Sequence, residues 1–465
     1  MRLKNPRAHL GVLVGVLTVL YATYSIRKHS RLLSSSFDLG IFDQAVRAYS
    51  RFEVPRSAIK NESLNLLGDH FHPILALLAP LYWIRDRPYM LLIAQAILVA
   101  VSVIPVYGFA RRLTTHRNAM CAAVAYGLSW GLQNAVAFDF HEIAFAVPIV
   151  AWMIERTQAK RFGTAALLAL SLLLVKEDLA PVVAAFGIYL IILGRRRLGA
   201  ALAVTGVVAF LVLTKWLMPW LAGGLPFAYW TYDALGADLP SAVAYMVRHP
   251  FQTVRMFFVP ARKSLTLAWV VFPWAFTGLL SPILILAIPQ LAERFLSSKP
   301  VYWTTDHHYS AVLMPIAALA AIDGLHRFAQ RSTRAEQLWS RWARGTAAFA
   351  LITSIGLPVG ALASPATWQT TNRMRAGRAA LAVIPAGVRV EADNRLGPHL
   401  THRDTVLLLD GIPKSADFVL ADVKRRQFPY KSTAEARAYV ISLLDQGWTL
   451  VFQQEGFVVL RRPAF

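Results

Sequence analysis

Residues 162–214 read FGTAALLALSLLLVKEDLAPVVAAFGIYLIILGRRRLGAALAVTGVVAFLVLT. Three uncharged runs, 162–175, 179–194 and 198–214, are parted once by Lys176-Glu177-Asp178 and once by Arg195-Arg196-Arg197. Successive apolar runs with basic residues in every second gap are the pattern of a chain that crosses a bilayer repeatedly. Similar runs cover 8–26, 88–110, 118–138, 143–154, 264–292, 308–322 and 345–372. Several fall short of the roughly 20 residues a span needs, so flanking polar residues must sit in the interface or in a cavity. Hydrophobic residues make up 56% of the 465 and charged residues 16%, against about 25% charged in a soluble domain, which excludes a soluble globular enzyme. The balance of 48 Lys+Arg to 26 Asp+Glu gives +22. Basic residues between apolar runs set topology and meet anionic headgroups, so this charge does not imply nucleic acid. The single cysteine, Cys121, lies in an apolar run, which rules out an intramolecular disulfide and reads as packing.

The run Ala8–Ile26 follows Arg2, Lys4 and Arg7 and lacks a small-residue cleavage site, so it reads as a retained span with a cytoplasmic N-terminus. Arg111, Arg112 and Arg117, then Arg156, Lys160 and Arg161, then Arg195–Arg197, then Arg327, Arg331, Arg334, Arg341 and Arg344 mark alternate loops as cytoplasmic. That parity leaves 27–87 as a first external loop, with Phe71–Ile84 lying along the outer surface or re-entering. Segment 264–292 is either one long tilted helix or two short ones broken at Ser281-Pro282. Two crossings give eleven spans and an external C-terminus, whereas one would break the parity. From about 373 the character changes. Short β-rich runs at 388–391, 405–409, 418–421, 448–452 and 456–460 surround an amphipathic helix near 433–446, which predicts an extracytoplasmic α/β domain over 373–465 behind a membrane domain over 1–372. It has no glycine-rich phosphate loop, and no internal repeat of 20 to 50 residues is visible.

The titratable residues beside apolar runs gather on the external side. They are Asp38 and Asp43 in 36–44, Asp69, His70 and His72 before Pro73, Asp139, His141 and Glu142, then Lys176-Glu177-Asp178, and His307, His308 and Tyr309 in the segment YWTTDHHY (302–309). Ionisable groups at membrane depth are costly, and five clusters on one side predict one shared polar cavity. The alternative is that each is an ordinary interfacial loop. Asp38, among Phe37, Leu39, Ile41 and Phe42, is placed to act as general base; a helix N-cap is the other role open to it or to Ser36. Asp43, five residues on, points away from Asp38 on a helix, toward solvent or a supporting partner. His70 with His72 and Asp139 with His141 alternate around a phenylalanine, so in extended backbone each pair shares a face. Such a set could bind a phosphate, or Asp139, His141 and Glu142 could hold a divalent metal, although no HExxH-like spacing specifies one. Lys176 could neutralise a lipid-linked phosphate or simply balance Glu177 and Asp178.

The stretches FDLGIFDQ (37–44), GDHFHPILALLAPLYW (68–83), FDFHE (138–142), LLLVKEDLA (172–180), HHYSAVLMPIAALAAI (307–322) with the following DG, RLGPHLTHRD (395–404) and ADFVLAD (416–422) together resemble a prokaryotic membrane-protein family of unknown function grouped with the GT-C glycosyltransferases. The likeness runs from about residue 36 to the C-terminus. It implies a GT-C-like α-helical polytopic fold of about eleven transmembrane helices in the plasma membrane. It also implies a polyprenyl-phosphate-linked sugar as donor and an acceptor outside the membrane, whether glycan, lipid or protein. In such enzymes a carboxylate of the first external loop is the base, which matches Asp38. Many relatives carry a second acidic residue beside it; here Leu39 follows, leaving that role to Asp43, Asp69 or Asp139. The expected function is inverting glycosyl transfer; the alternatives are a transporter or flippase of lipid-linked sugars, or a non-catalytic assembly factor.

Overall fold

The Asn5 side chain accepts the Arg7 N–H and Pro6 stands at the first helical position, which starts a 25-residue helix, Pro6–Ser30. At 1.5 Å per residue it exceeds the ~30 Å hydrocarbon thickness, and Val12, Val16 and Val19 stay exposed along it. This computed structural model describes residues 5–463. Arg2 and Lys4 of the expected basic cluster, and the last two positions of 373–465, lie outside the described residues. Among those described, Pro6–Ser30, Tyr89–Arg111 and Arg196–Leu221 are long and apolar enough to cross a membrane. Pro73–Ile84 is apolar but shorter, and Leu77, Trp83 and Ile84 are exposed on it, as an interfacial helix requires.

The other apolar runs form interrupted helices. Run 118–138 becomes His116–Gly127 and Trp130–Ala137. Segment 264–292 is not one helix: Ala261–Val271 ends ahead of Pro273, which has no N–H to give, and Ala275 and Phe276 take left-handed φ values of 52° and 60°. A second break follows at Ser281, whose hydroxyl accepts the Ile283 N–H and donates to Asp323, before Pro282–Ala287 leads into Ile288–Leu296. The interruption therefore starts nine residues before the expected Ser281-Pro282 step, where the second break falls. Helices Ala180–Ile192 and Arg196–Val212 approach backbone to backbone, because a Cβ on Gly206 would stand 2.5 Å from the Ala184 nitrogen and one on Gly187 would collide with that of Ala203. Cys121 is half-buried against the helical core, as expected.

The C-terminal sheet holds β1 (Arg389–Ala392), β2 (Thr405–Leu408), β3 (Phe418–Asp422), β4 (Thr449–Gln454) and β5 (Phe457–Arg461) in the order β2-β1-β3-β5-β4. The first three are parallel, and β5 runs antiparallel to β3 and β4. Glu455 and Gly456, with φ of 52° and 86°, make the two-residue turn of the β4–β5 hairpin. Helix Thr433–Asp445 covers one face through Val440 and Leu443. The other face carries a second helix, Asn372–Val383, which the sequence reading does not anticipate. Beside it the loop residues Leu32, Ile41, Ala45, Ile59 and Leu66 share a core with Val390, Val406 and Leu420. The sheet thus sits directly on the segment that follows the first helix.

Candidate active site

After Pro6–Ser30 the chain makes a π-helical turn, Ser36–Gly40, that runs into helix Ile41–Ser50. Neither element has a side-chain cap, so Asp38 is not consumed as an N-cap. Its carboxylate lies 3.3 Å from His141 Nε2 and faces a cavity of about 670 Å³. Asp69, His70, His72, His141, Glu142, Lys176, Glu177, His308 and Tyr309 line the same cavity. Five segments far apart in sequence are thus brought to one site.

Two ion-pair systems organise the polar wall. Lys176 Nζ reaches Glu142 at 3.1 Å and Asp178 at 3.6 Å. Glu177 meets His70 Nδ1 at 2.7 Å and accepts the Phe71 N–H at 2.9 Å. Next to it Lys60 pairs with Asp69, and both bond to the Tyr229 hydroxyl at 2.8 Å, while the Tyr229 ring stacks on His70. His141 stacks on His308 at 3.9 Å, with Phe138 against both. Arg294 is buried behind this column and donates to the carbonyls of Tyr302, Thr304 and Tyr309, which fixes the YWTTDHHY segment.

The lining holds the carboxylates of Asp38, Asp69, Glu142, Glu177, Asp178 and Glu293 against only Lys60, Lys176 and Arg294 as permanent cations. Burial resists ionisation of Glu142, but Lys176, His141 and His72 outweigh it and hold its carboxyl down at about 2. Asp178 goes the other way: burial and the nearby Glu177 and Glu142 exceed the pull of Lys176 and push it up to about 6. The acidic surplus thus falls on Asp178 and on Glu293, whose carboxyl burial and the neighbouring Asp178 also push up. Glu142 Oε2, Asp178 Oδ1, His141 Nδ1 and His308 Nδ1 are buried without a hydrogen-bond partner among the described residues, which leaves capacity for a ligand.

Three expected site residues are not in the lining. Asp43 is fully buried and neither faces solvent nor meets a ligand; it accepts from Arg47 at 2.8 Å and the Tyr82 hydroxyl at 2.6 Å, and Arg47 also holds Asp86. His307 packs on Phe138 beside the cavity. Asp139 turns away at a left-handed φ of 87°, held by Lys28 at 2.7 Å and the Ser35 N–H at 2.9 Å. The expected metal set of Asp139, His141 and Glu142 is thereby split, and among the described residues no group of three or more His, Cys, Asp or Glu side chains is placed to hold a metal ion. Lys60, Tyr229, Trp230, Tyr232, Glu293 and Arg294 line the cavity without having been anticipated. The tyrosine- and tryptophan-rich stretch FAYWTYD (227–233) was the one signal that could have found the roof.

Residues 28–459 match the family model described as predicted membrane protein (DUF2079). The chain belongs to this DUF2079 family. No curated protein matches it. Among solved structures, ArnT from Cupriavidus metallidurans bound to undecaprenyl phosphate is similar, with a TM-score of 0.58, 13% identity and 97% of each chain covered. The apo state of the same ArnT gives a TM-score of 0.54 at 13% identity, again over 97% of each chain. At this identity the likeness is one of fold, and it agrees with the GT-C kinship that the motifs imply for this DUF2079 member.

Proposed function

We propose that the protein transfers a glycosyl group, with inversion, from a polyprenyl-phosphate carrier to an acceptor hydroxyl outside the membrane, and that Asp38 is the base. In this reading eleven helices span the plasma membrane, the N-terminus is cytoplasmic, and 373–465 forms an extracytoplasmic domain above the membrane part, 1–372. The observation that carries the reading is the composition of one cavity. The carboxylate of Asp38 and the ammonium of Lys176 share it with an apolar wall that includes Pro181, Phe210, Leu235, Leu239, Ala242 and Met246. A polar end for a sugar phosphate continuous with an apolar wall for a prenyl chain suits an amphipathic donor. The undecaprenyl phosphate bound to the similar ArnT fold supports the same class of ligand.

The chemistry follows from the charges. Asp38 takes the proton of the acceptor hydroxyl; the acceptor oxygen bonds to the anomeric carbon from the face opposite the phosphate, and the anomeric C–O bond breaks with its electron pair leaving on the phosphate. His141, 3.3 Å from the Asp38 carboxylate, orients it. Lys176 and Lys60 are the cations nearest to hand for the departing phosphate, and each is already matched by carboxylates. The direct test is lipid profiling of cells lacking the gene, complemented with wild type or with Asp38→Asn. One polyprenyl-linked sugar should accumulate in the null and in the Asp38→Asn strain and disappear with wild type; unchanged profiles in all three would refute the assignment.

A further inference from the structure

Resting on that reading, we infer that the C-terminal α/β layer is part of the catalytic apparatus: Asn394 is a positioning residue that sets the turn carrying Asp38. The loop after β1 runs Asp393-Asn394-Arg395-Leu396-Gly397 and lies against residues 35–37. The Asn394 carbonyl accepts the Ser36 N–H at 2.5 Å. Its side-chain Oδ1 accepts the Phe37 N–H at 2.9 Å and the Ser35 hydroxyl at 3.0 Å. Three consecutive residues ahead of Asp38 are thereby tied to one asparagine 357 positions away. From the other side, the Ser35 N–H is held by Asp139, which Lys28 anchors. The π-type bonds of the turn run back from the Gly40 and Ile41 N–H groups to the Ser35 and Ser36 carbonyls, and the N–H groups of Ser35, Ser36 and Phe37 at its start are held by partners outside it.

The fit around the turn is close. A Cβ on Gly397 would collide with Ser36 Oγ and stand 3.0 Å from Val406 Cγ1, so an added methyl there must displace the Ser36 side chain or the loop. A Cβ on Gly40, at the end of the turn, would stand 2.7 Å from Ile59 Cδ1. The next helix is fastened by the same layer, through Arg47 to the Thr401 carbonyl at 2.5 Å and Gln44 to the Val406 carbonyl at 3.3 Å. The stretch RLGPHLTHRD, which follows Asn394 directly, thus has a physical role: Gly397 packs on the base-bearing turn and the Thr401 carbonyl holds Arg47 of the helix after it. A displacement of about 1 Å at a catalytic group can cost on the order of 100-fold in rate, which is the scale on which the clamp matters.

The test uses full-length protein in proteoliposomes with a polyprenyl-phosphate sugar donor, together with hydrogen exchange of a peptide covering 33–42. Asn394→Leu removes both side-chain acceptor contacts; it should lower kcat by about 10- to 100-fold with little change in KM for the donor, and speed exchange of the Ser36 and Phe37 amides. Asn394→Asp keeps the Oδ1 acceptor and should restore the protection and most of kcat. Gly397→Ala, approaching from the opposite side of the same contact, should reproduce the kcat loss. Wild-type protection in folded Asn394→Leu, or equal kcat losses in the Leu and Asp variants, would overturn the clamp. The exchange measurement does not depend on turnover: an inactive wild type whose Asn394→Leu variant still loses protection would sink the transferase reading and leave the clamp standing.

Discussion

Asp38 and Asp43 lie five residues apart in one segment, yet their replacement by asparagine should fail in different ways. Asp38 is 19% exposed in its side chain and its one ion pair among the described residues is with His141 at 3.3 Å, so losing the charge should cost less than about 1 kcal/mol of stability. Loss of a general base should slow transfer by on the order of 10²- to 10⁴-fold, about 3–5 kcal/mol of barrier. Asp43 is buried and bonded to Tyr82 and Arg47. In Asp43→Asn the amide oxygen could still accept from Tyr82, but the amide NH2 would be turned toward the guanidinium. Breaking a buried pair costs about 3–5 kcal/mol where the survivor is left uncompensated. Arg47 keeps Asp86 at 2.7 Å and the Thr401 carbonyl, so roughly 2–3 kcal/mol is the better figure here. The assay is thermal unfolding of detergent-purified protein beside transfer rate per folded molecule. Asp38→Asn should keep the wild-type midpoint and lose the rate; Asp43→Asn should lose several degrees and keep most of the rate per folded molecule. Near wild-type transfer by Asp38→Asn, or an equal rate loss in Asp43→Asn at an unchanged midpoint, would refute the reasoning.

The remaining expectations are briefer. In the sheet, burial is the main reason the Glu391 carboxyl is pushed up to about 7, despite Lys414 and the Tyr439 hydroxyl. The native state therefore holds a proton that the unfolded chain has lost, and this contribution to stability is present below pH 4.5 and declines as pH rises to 7. Glu391→Gln should gain on wild type by about 2–3 kcal/mol between pH 5 and 8 in thermal unfolding, and a difference independent of pH would exclude the mechanism. Cysteines at Ser63 and Ser415, with Cys121 replaced, should react with an impermeant thiol reagent from outside intact cells, whereas one at Ser332 should not; the reverse pattern would invert the proposed orientation. Gly206→Val inserts side-chain atoms where a Cβ alone would stand 2.5 Å from the Ala184 nitrogen, so it should destabilise the protein by at least about 2 kcal/mol, seen as a lower midpoint in detergent.

How much of this was legible depended on whether the signal was local. Strand alternation and turn residues placed the five strands to within two residues of their observed ends and the helix near 433–446 almost at its ends, Thr433–Asp445. Asn372–Val383 escaped because Arg373, Arg375 and Arg378 break its apolar period, although Thr371 caps it by accepting the Met374 N–H. Charge parity puts the stretch 71–84 outside the spanning set, and in the structure it forms the apolar helix Pro73–Ile84, shorter than the three among the described residues that are long enough to cross. For the site, residue type beside an apolar run located the clusters but not the direction in which each side chain turns. Asp139 was drawn off by Lys28 and Asp43 by Arg47, partners 111 and 4 residues away. The second was readable as an i,i+4 pair; the first was not. Lys60 and Tyr229 gave no periodic cue because a loop–loop contact across 169 residues leaves none.

The contact between Asn394 and the turn at 35–37 also has a consequence for biogenesis. Ribosome and insertion machinery deliver Asp38 with the first helix, but the residue that shapes its turn follows 357 positions after Phe37. Until the C-terminal sheet has been synthesised and paired, the turn has the Asp139 anchor and lacks the other. If Asp38 is the base proposed above, a prematurely terminated chain would carry that base on a turn lacking one of its two anchors, and the order in which the polypeptide is made would withhold reactivity from incomplete copies.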